Sequence, residues 1–157
     1  MGPRINLFAN EFANKVSKRI AGVGQAVHGS TLARATLHLV EIRVSQINGC
    51  GFCVDMHTKE AAAAGETSVR LNLVAAWREA TVFTDAERAA LALAEEGTRL
   101  ADVHSGVTED TWAAVRKYYD DDQVAALIMG IALINAFNRM NVIAGTPAGD
   151  YQPGMFG

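Results

Sequence analysis

The segment Glu41–Ala64, EIRVSQINGCGFCVDMHTKEAAAA, decides how the rest of the chain is read. Asn48-Gly49 breaks the helical pattern before it, since both residues tolerate left-handed backbone, and a new helix runs from Cys50 through Ala61–Ala64 to a stop at Gly65. On that helix Cys50 and Cys53, the only cysteines present, share one face, and His57 lies on the same face one turn along. A helix N-terminus carries about half a positive charge, which favours thiolate over thiol, and Cys-x-x-Cys pairs have pKa values lowered from about 8.5 to about 3.5–7.5. Such a thiolate, with an imidazole nearby to take the proton, attacks peroxide oxygen to give a sulfenic acid. The other cysteine then condenses with it to a disulfide.

Outward from this segment, the composition narrows the partners. The 157 residues fit one domain, with an N-terminal helix and loop over 1–30 and a C-terminal tail over 143–157. With 14 basic against 17 acidic residues and a pI near 5.8, the chain has no electrostatic footprint for nucleic acid. Two cysteines three apart brace no fold. No hydrophobic run reaches the roughly 20 residues that span a bilayer, and charges interrupt the N-terminal MGPRINLFANEFANKVSKR where a signal peptide is apolar. These features predict no membrane association and a cytoplasmic protein whose thiols are kept reduced. An apolar share of 50% suggests burial between subunits of a homo-oligomer.

Along the chain, Leu7, Phe8, Phe12, Val16 and Ile20 predict an amphipathic helix over Asn6–Ile20, and Gly22, Gly24 and Gly29 predict a loop after it. A helix capped by Ser30 or Thr31 runs to Ile47, and Ser68 caps a short one carrying Leu71, Leu73, Val74 and Trp77. Thr84–Glu87 is a capping box for a helix to about Glu96. Thr108-Glu109-Asp110 opens another toward Tyr119, and Asp120–Asp122 opens the last, to Val142. The last is apolar enough to be buried nearly all round, with Asn135, Asn138 and Asn141 pairing with backbone or a neighbouring subunit. Trp77 and Trp112 fit helix–helix packing, Tyr151 and Phe156 anchor the tail, and His28 and His104 are surface loop residues. Without a period-two β-branched run the fold class is all-α, a bundle of six or seven helices.

Arg43–Ala61, RVSQINGCGFCVDMHTKEA, resembles the alkylhydroperoxidase D-like branch of the carboxymuconolactone decarboxylase superfamily, and the similarity continues through Ala75–Glu95 and Ile134–Val142. The resemblance implies an all-helical fold, assembly as trimers or hexamers, and peroxidase activity. By position it makes Cys53 the attacking thiolate, Cys50 the resolving thiol and His57 the base. It also implies a dithiol or dihydrolipoyl-type reductant and no metal or flavin cofactor. Family peroxidases carry a relay glutamate twelve residues before the first cysteine, where this chain has His38. They also have a histidine inside the pair, where it has Phe52. Glu41, one turn from His38, supplies a carboxylate to His38 or His57 in a rebuilt relay.

Other readings compete. Decarboxylases of the superfamily lack the cysteine pair, which argues against lactone decarboxylation here. His38, Cys50, Cys53 and His57 form a formal Cys₂His₂ set for zinc, although structural zinc sites usually present their cysteines from a turn. The thiols also suit a non-enzymatic redox sensor. Arg43, Arg78 and Arg139 make solvated or interface salt bridges.

Overall fold

A chain rich in alanine and leucine, with prolines only near its ends, has nothing to interrupt helix formation. The described residues, 2–102 and 106–155 of a computed structural model, contain helices and no strand. The helices are α1 (Glu11–His28), α2 (Arg34–Ile47), α3 (Gly51–Ala63), α4 (Ser68–Leu73), α5 (Asp85–Thr98), α6 (Glu109–Tyr118) and α7 (Asp121–Ala144); a 3-10 turn, Val74–Ala76, follows α4. The all-α expectation holds. His104 and Phe156 lie outside the described residues.

The helix buried all round is α2, not α7. Thr36 through Ile42, Val44 and Ser45 are all buried because α3, α5 and α7 pack around α2. Fully burying side chains such as Leu37, Leu39 and Ile42 contributes about 1.5–3 kcal/mol each. On α7, by contrast, Ile128, Met129, Val142 and Ile143 are exposed. α7 also has the length and apolar composition to cross a membrane, which the sequence reading excluded for any segment. In the fold it packs against α1, α2, α3 and α5. Its amides pair within the chain: Asn138 Nδ2 donates to Ser45 Oγ at 3.0 Å, and Asn48 Nδ2 donates to Asn135 Oδ1 and Asn138 Oδ1, both at 2.9 Å.

Capping explains most helix boundaries. Thr84 and Glu87 form the expected capping box, Asp120 forms a second with Gln123, and Thr108 caps α6. Gly49, at φ 65°, makes the turn that lets α3 start at once after α2. Four expectations fail. Thr67 rather than Ser68 caps α4; α2 begins at Arg34 with no side-chain cap; α1 begins at Glu11, capped by Asn10, rather than at Asn6; and it runs through Gly22 and Gly24 to His28. α1 lies against α7, and a Cβ at Gly24 would already touch Leu133 at 3.4 Å, so packing outweighs the helix cost of the glycine. Trp77 is buried with its Nε1–H donated to Glu95, whereas Trp112 is exposed. Arg43 and Arg78 both pair with Glu95, and Arg139 hydrogen-bonds Asn135.

Where α7 crosses α1 and α2, a Cβ on Gly130 would lie 2.9 Å from Leu37 Cδ1 and 3.5 Å from Val27 Cγ1. Gly130→Val should therefore destabilise the fold by about 1–3 kcal/mol, read as a lower urea midpoint at unchanged slope.

Arg70 links Glu66 at 2.8 Å and Glu87 at 2.5 Å. Burial raises the Glu87 pKa, but the Arg70 and Thr84 hydrogen bonds outweigh it and hold the carboxyl below its ordinary 4.5. The stability this contributes is present above pH 4.5 and lost as pH falls through the lowered folded value. Glu87→Gln should be less stable than wild type in neutral denaturant melts, with the gap closing in acid.

Candidate functional site

The site begins with a helix cap. Cys50 is the N-cap of α3, and its Sγ accepts the Cys53 N–H at 3.3 Å, a place usually taken by an oxygen. Cys50 and Cys53 are joined as a disulfide, with Cα atoms 5.4 Å apart and each residue only 1% exposed. Asn141 Nδ2 of α7 lies 3.6 Å from Cys53 Sγ. Each sulfur thus faces an N–H donor.

On the inward face of α3, Cys53, His57 and Ala61 follow one another at successive turns, all buried. The outer face is taken by the segment after α7. Gly149 N–H donates to Asp55, Lys59 donates to the Gly149 and Tyr151 carbonyls, and Tyr151 Oη binds Glu60. Phe52, between the two cysteines, packs tilted against Phe8 and edge-on to Tyr151, with ring centroids 5.9 and 6.4 Å away. It brings no proton-transfer group to the pair.

One turn after Cys53 on α3, His57 meets a buried carboxylate of α2. Glu41 is 7% exposed, and imidazoles from three helices surround it: His28 Nε2 of α1 is 3.0 Å from Oε1, while His57 Nδ1 of α3 and His38 Nδ1 of α2 are 3.1 and 3.5 Å from Oε2. Only the His28 contact has hydrogen-bond alignment; Oε2 and both ring nitrogens of His38 have no aligned partner. Burial works to raise the Glu41 pKa, but the His57 charge and the His28, His38 and His57 contacts win and hold it well below 4.5. The hydrogen bond to Glu41 raises His28, against burial, above 6.5.

The five residues singled out from the sequence therefore fall into two adjacent groups, the sulfurs on the first turn of α3 and Glu41 with its imidazoles behind them. The Cys₂His₂ set does not form: the sulfurs bond each other, and the donors that gather are His38, Glu41 and His57. Two residues were missed. His28 ends α1 rather than sitting in a surface loop, and its role depends on a contact thirteen residues away that no local pattern signals. Asn141 was seen only as one of three amides.

The sequence pattern of the Carboxymuconolactone decarboxylase family matches residues 14–96, which hold both groups. The chain belongs to the carboxymuconolactone decarboxylase family. It is 35% identical over 148 residues to the uncharacterized protein YdfG of Bacillus subtilis, covering 94% of this chain and 98% of that one. A solved structure from Agrobacterium tumefaciens, of a protein of unknown function linked to the antioxidant defence protein AhpD, superposes with a TM-score of 0.87 at 32% identity, covering 95% of this chain and 99% of its own. A peroxidase-related protein with an alkylhydroperoxidase AhpD core from Ralstonia eutropha JMP134 shares the fold at a TM-score of 0.73 and 18% identity, covering 94% and 77%. Within the carboxymuconolactone decarboxylase family this places the chain in the AhpD-like branch.

The His28–Glu41 pair in this family member gives a sign that can be measured. Because its folded value lies above 6.5, His28 stabilises the fold fully below pH 6.5, and the contribution is lost as pH rises through the folded value. Glu41→Gln should bring the His28 ring-proton titration back toward 6.5.

Proposed function

We propose that this protein is a thiol-dependent peroxidase that reduces hydrogen peroxide or small alkyl hydroperoxides through Cys50 and Cys53. The observation that carries the reading is the Cys50–Cys53 disulfide at the start of α3, with an N–H donor on each sulfur and a buried carboxylate–imidazole group one turn behind it. N–H donors and a helix N-terminus both favour the thiolate.

In the reduced protein the Cys53 thiol gives its proton to His57, whose Nδ1 faces Glu41 and whose Nε2 is left as the basic nitrogen. The thiolate attacks the hydroperoxide; the O–O bond breaks, sulfur is oxidised by two electrons to a sulfenic acid, and the departing alkoxide takes the proton from His57. The Cys50 thiol then attacks the Cys53 sulfur, water leaves and the disulfide closes. A dithiol of the dihydrolipoyl class returns two electrons and two protons by exchange. Glu41, flanked by His28 and His38, stabilises the transient imidazolium. The exposed apolar residues on α7, Ile128, Met129, Val142 and Ile143, suit association with further copies of the chain. Lactone decarboxylation gains nothing from a thiol pair, and no contact described above favours it.

Fully reduced wild type should lose two thiols on adding one equivalent of hydroperoxide, and Cys53→Ser none; equal behaviour of the two would discard the assignment. Glu41→Gln should slow thiol loss by about 10²-fold. Steady hydroperoxide turnover with excess dithiol separates an enzyme from a single-use sensor.

A further inference from the structure

His38 is only 5% exposed, yet neither of its ring nitrogens has a hydrogen-bond partner. An unpaired buried polar group costs about 1–3 kcal/mol. Its Nδ1 and that of His57 lie 3.5 and 3.1 Å from the same oxygen, Glu41 Oε2, distances that suit hydrogen bonds, but Oε2 accepts none. The N–H directions miss it. Each of the three residues offers one donor atom, and these atoms all lie within 4.8 Å of one another. Two donors held about 2.0–2.1 Å from a zinc ion at the tetrahedral angle are themselves about 3.3 Å apart. The observed 3.1 and 3.5 Å separations fall on either side of that spacing.

We propose that His38, Glu41 and His57 form a two-histidine, one-carboxylate site for a single transition-metal dication of the zinc and iron(II) class. Two imidazoles and one carboxylate are a ligand set that leaves further coordination positions for water or a small ligand. His38 also lines a cleft of about 470 Å³ with Arg34, Ala61 and Glu66, which gives an ion and its waters a route in. His28 supplies the outer contact: by binding Oε1 it fixes the carboxylate so that Oε2 faces the two imidazoles. No sulfur takes part, so the site stands or falls independently of the thiol cycle. A bound cation would also take Glu41 Oε2 and His57 Nδ1, leaving the neutral ring's proton on Nε2, the nitrogen the cycle needs free, and so would slow thiol oxidation.

The test uses full-length protein stripped with a chelator and titrated with Zn²⁺, and with Co²⁺ as a spectroscopic probe. One equivalent per chain should bind, with visible cobalt bands of four- or five-fold coordination. Binding should persist in the Cys50→Ser, Cys53→Ser double variant, weaken at least tenfold in His38→Ala and in the gentler His38→Gln at unchanged far-UV circular dichroism, and weaken about 10–100-fold in His28→Asn. Wild type that takes up no cobalt or zinc, uptake unchanged in both His38 variants, or uptake abolished by removing the sulfurs would overturn the site. Thiol counting after peroxide, done without added metal, reports separately on the peroxidase reading.

Discussion

A carboxylate taken out of water needs compensation, and in this fold imidazoles provide it for Glu41, with no lysine or arginine among the described residues paired with it. An isolated buried carboxylate would take up a proton instead of staying charged. The groups that prevent this come from three helices, His28 from the end of α1, His38 from α2 itself and His57 from α3. One charge thus ties the end of α1 and the inward face of α3 to the middle of α2. Cys53, one turn before His57, lies on that same inward face.

A second buried carboxylate is handled differently. Glu95 of α5 receives Arg43, Arg78 and the Trp77 indole, groups that stay protonated at any physiological pH. It therefore behaves as a fixed brace between α2, α5 and the turn after α4. Glu41 is faced by imidazoles from three helices instead. Two glutamates of similar burial are thus assigned different work by the partners they keep.

Much of this was legible in the sequence because it is written locally. The capping box at Thr84, the acidic helix entrance at Asp120, the Gly49 turn and the Cys50-x-x-Cys53 spacing involve residues within a few positions of each other, and each reports its own geometry. The closeness of Glu41 to His57 was also foreseeable, since Glu41 lies one turn from His38, the position of the family's relay glutamate, and was read as a carboxylate for His38 or His57. What local pattern cannot carry is the choice of neighbour. Gly22 and Gly24 look like loop residues until α7 is placed beside them; His28 looks like a surface histidine until α1 is carried to its end. Burial was misassigned between α2 and α7 for the same reason. Hydropathy ranks α7 first, but α2 occupies the centre, and its polar Thr36, His38, Glu41 and Ser45 are buried by position.

The three asparagines of α7 work like the teeth of a ratchet. Asn135 and Asn138 engage Asn48 and Ser45 near the end of α2, and Asn141 reaches Cys53, so one helix gauges its register against two others. Advancing α7 by one residue would swing every tooth by about 100° and set amides against hydrocarbon. A substitution at Ser45 or Asn48 therefore strips a partner from a helix about ninety positions downstream. The amide that faces Cys53 Sγ is thus held in place by pairs made one and two turns earlier on the same helix.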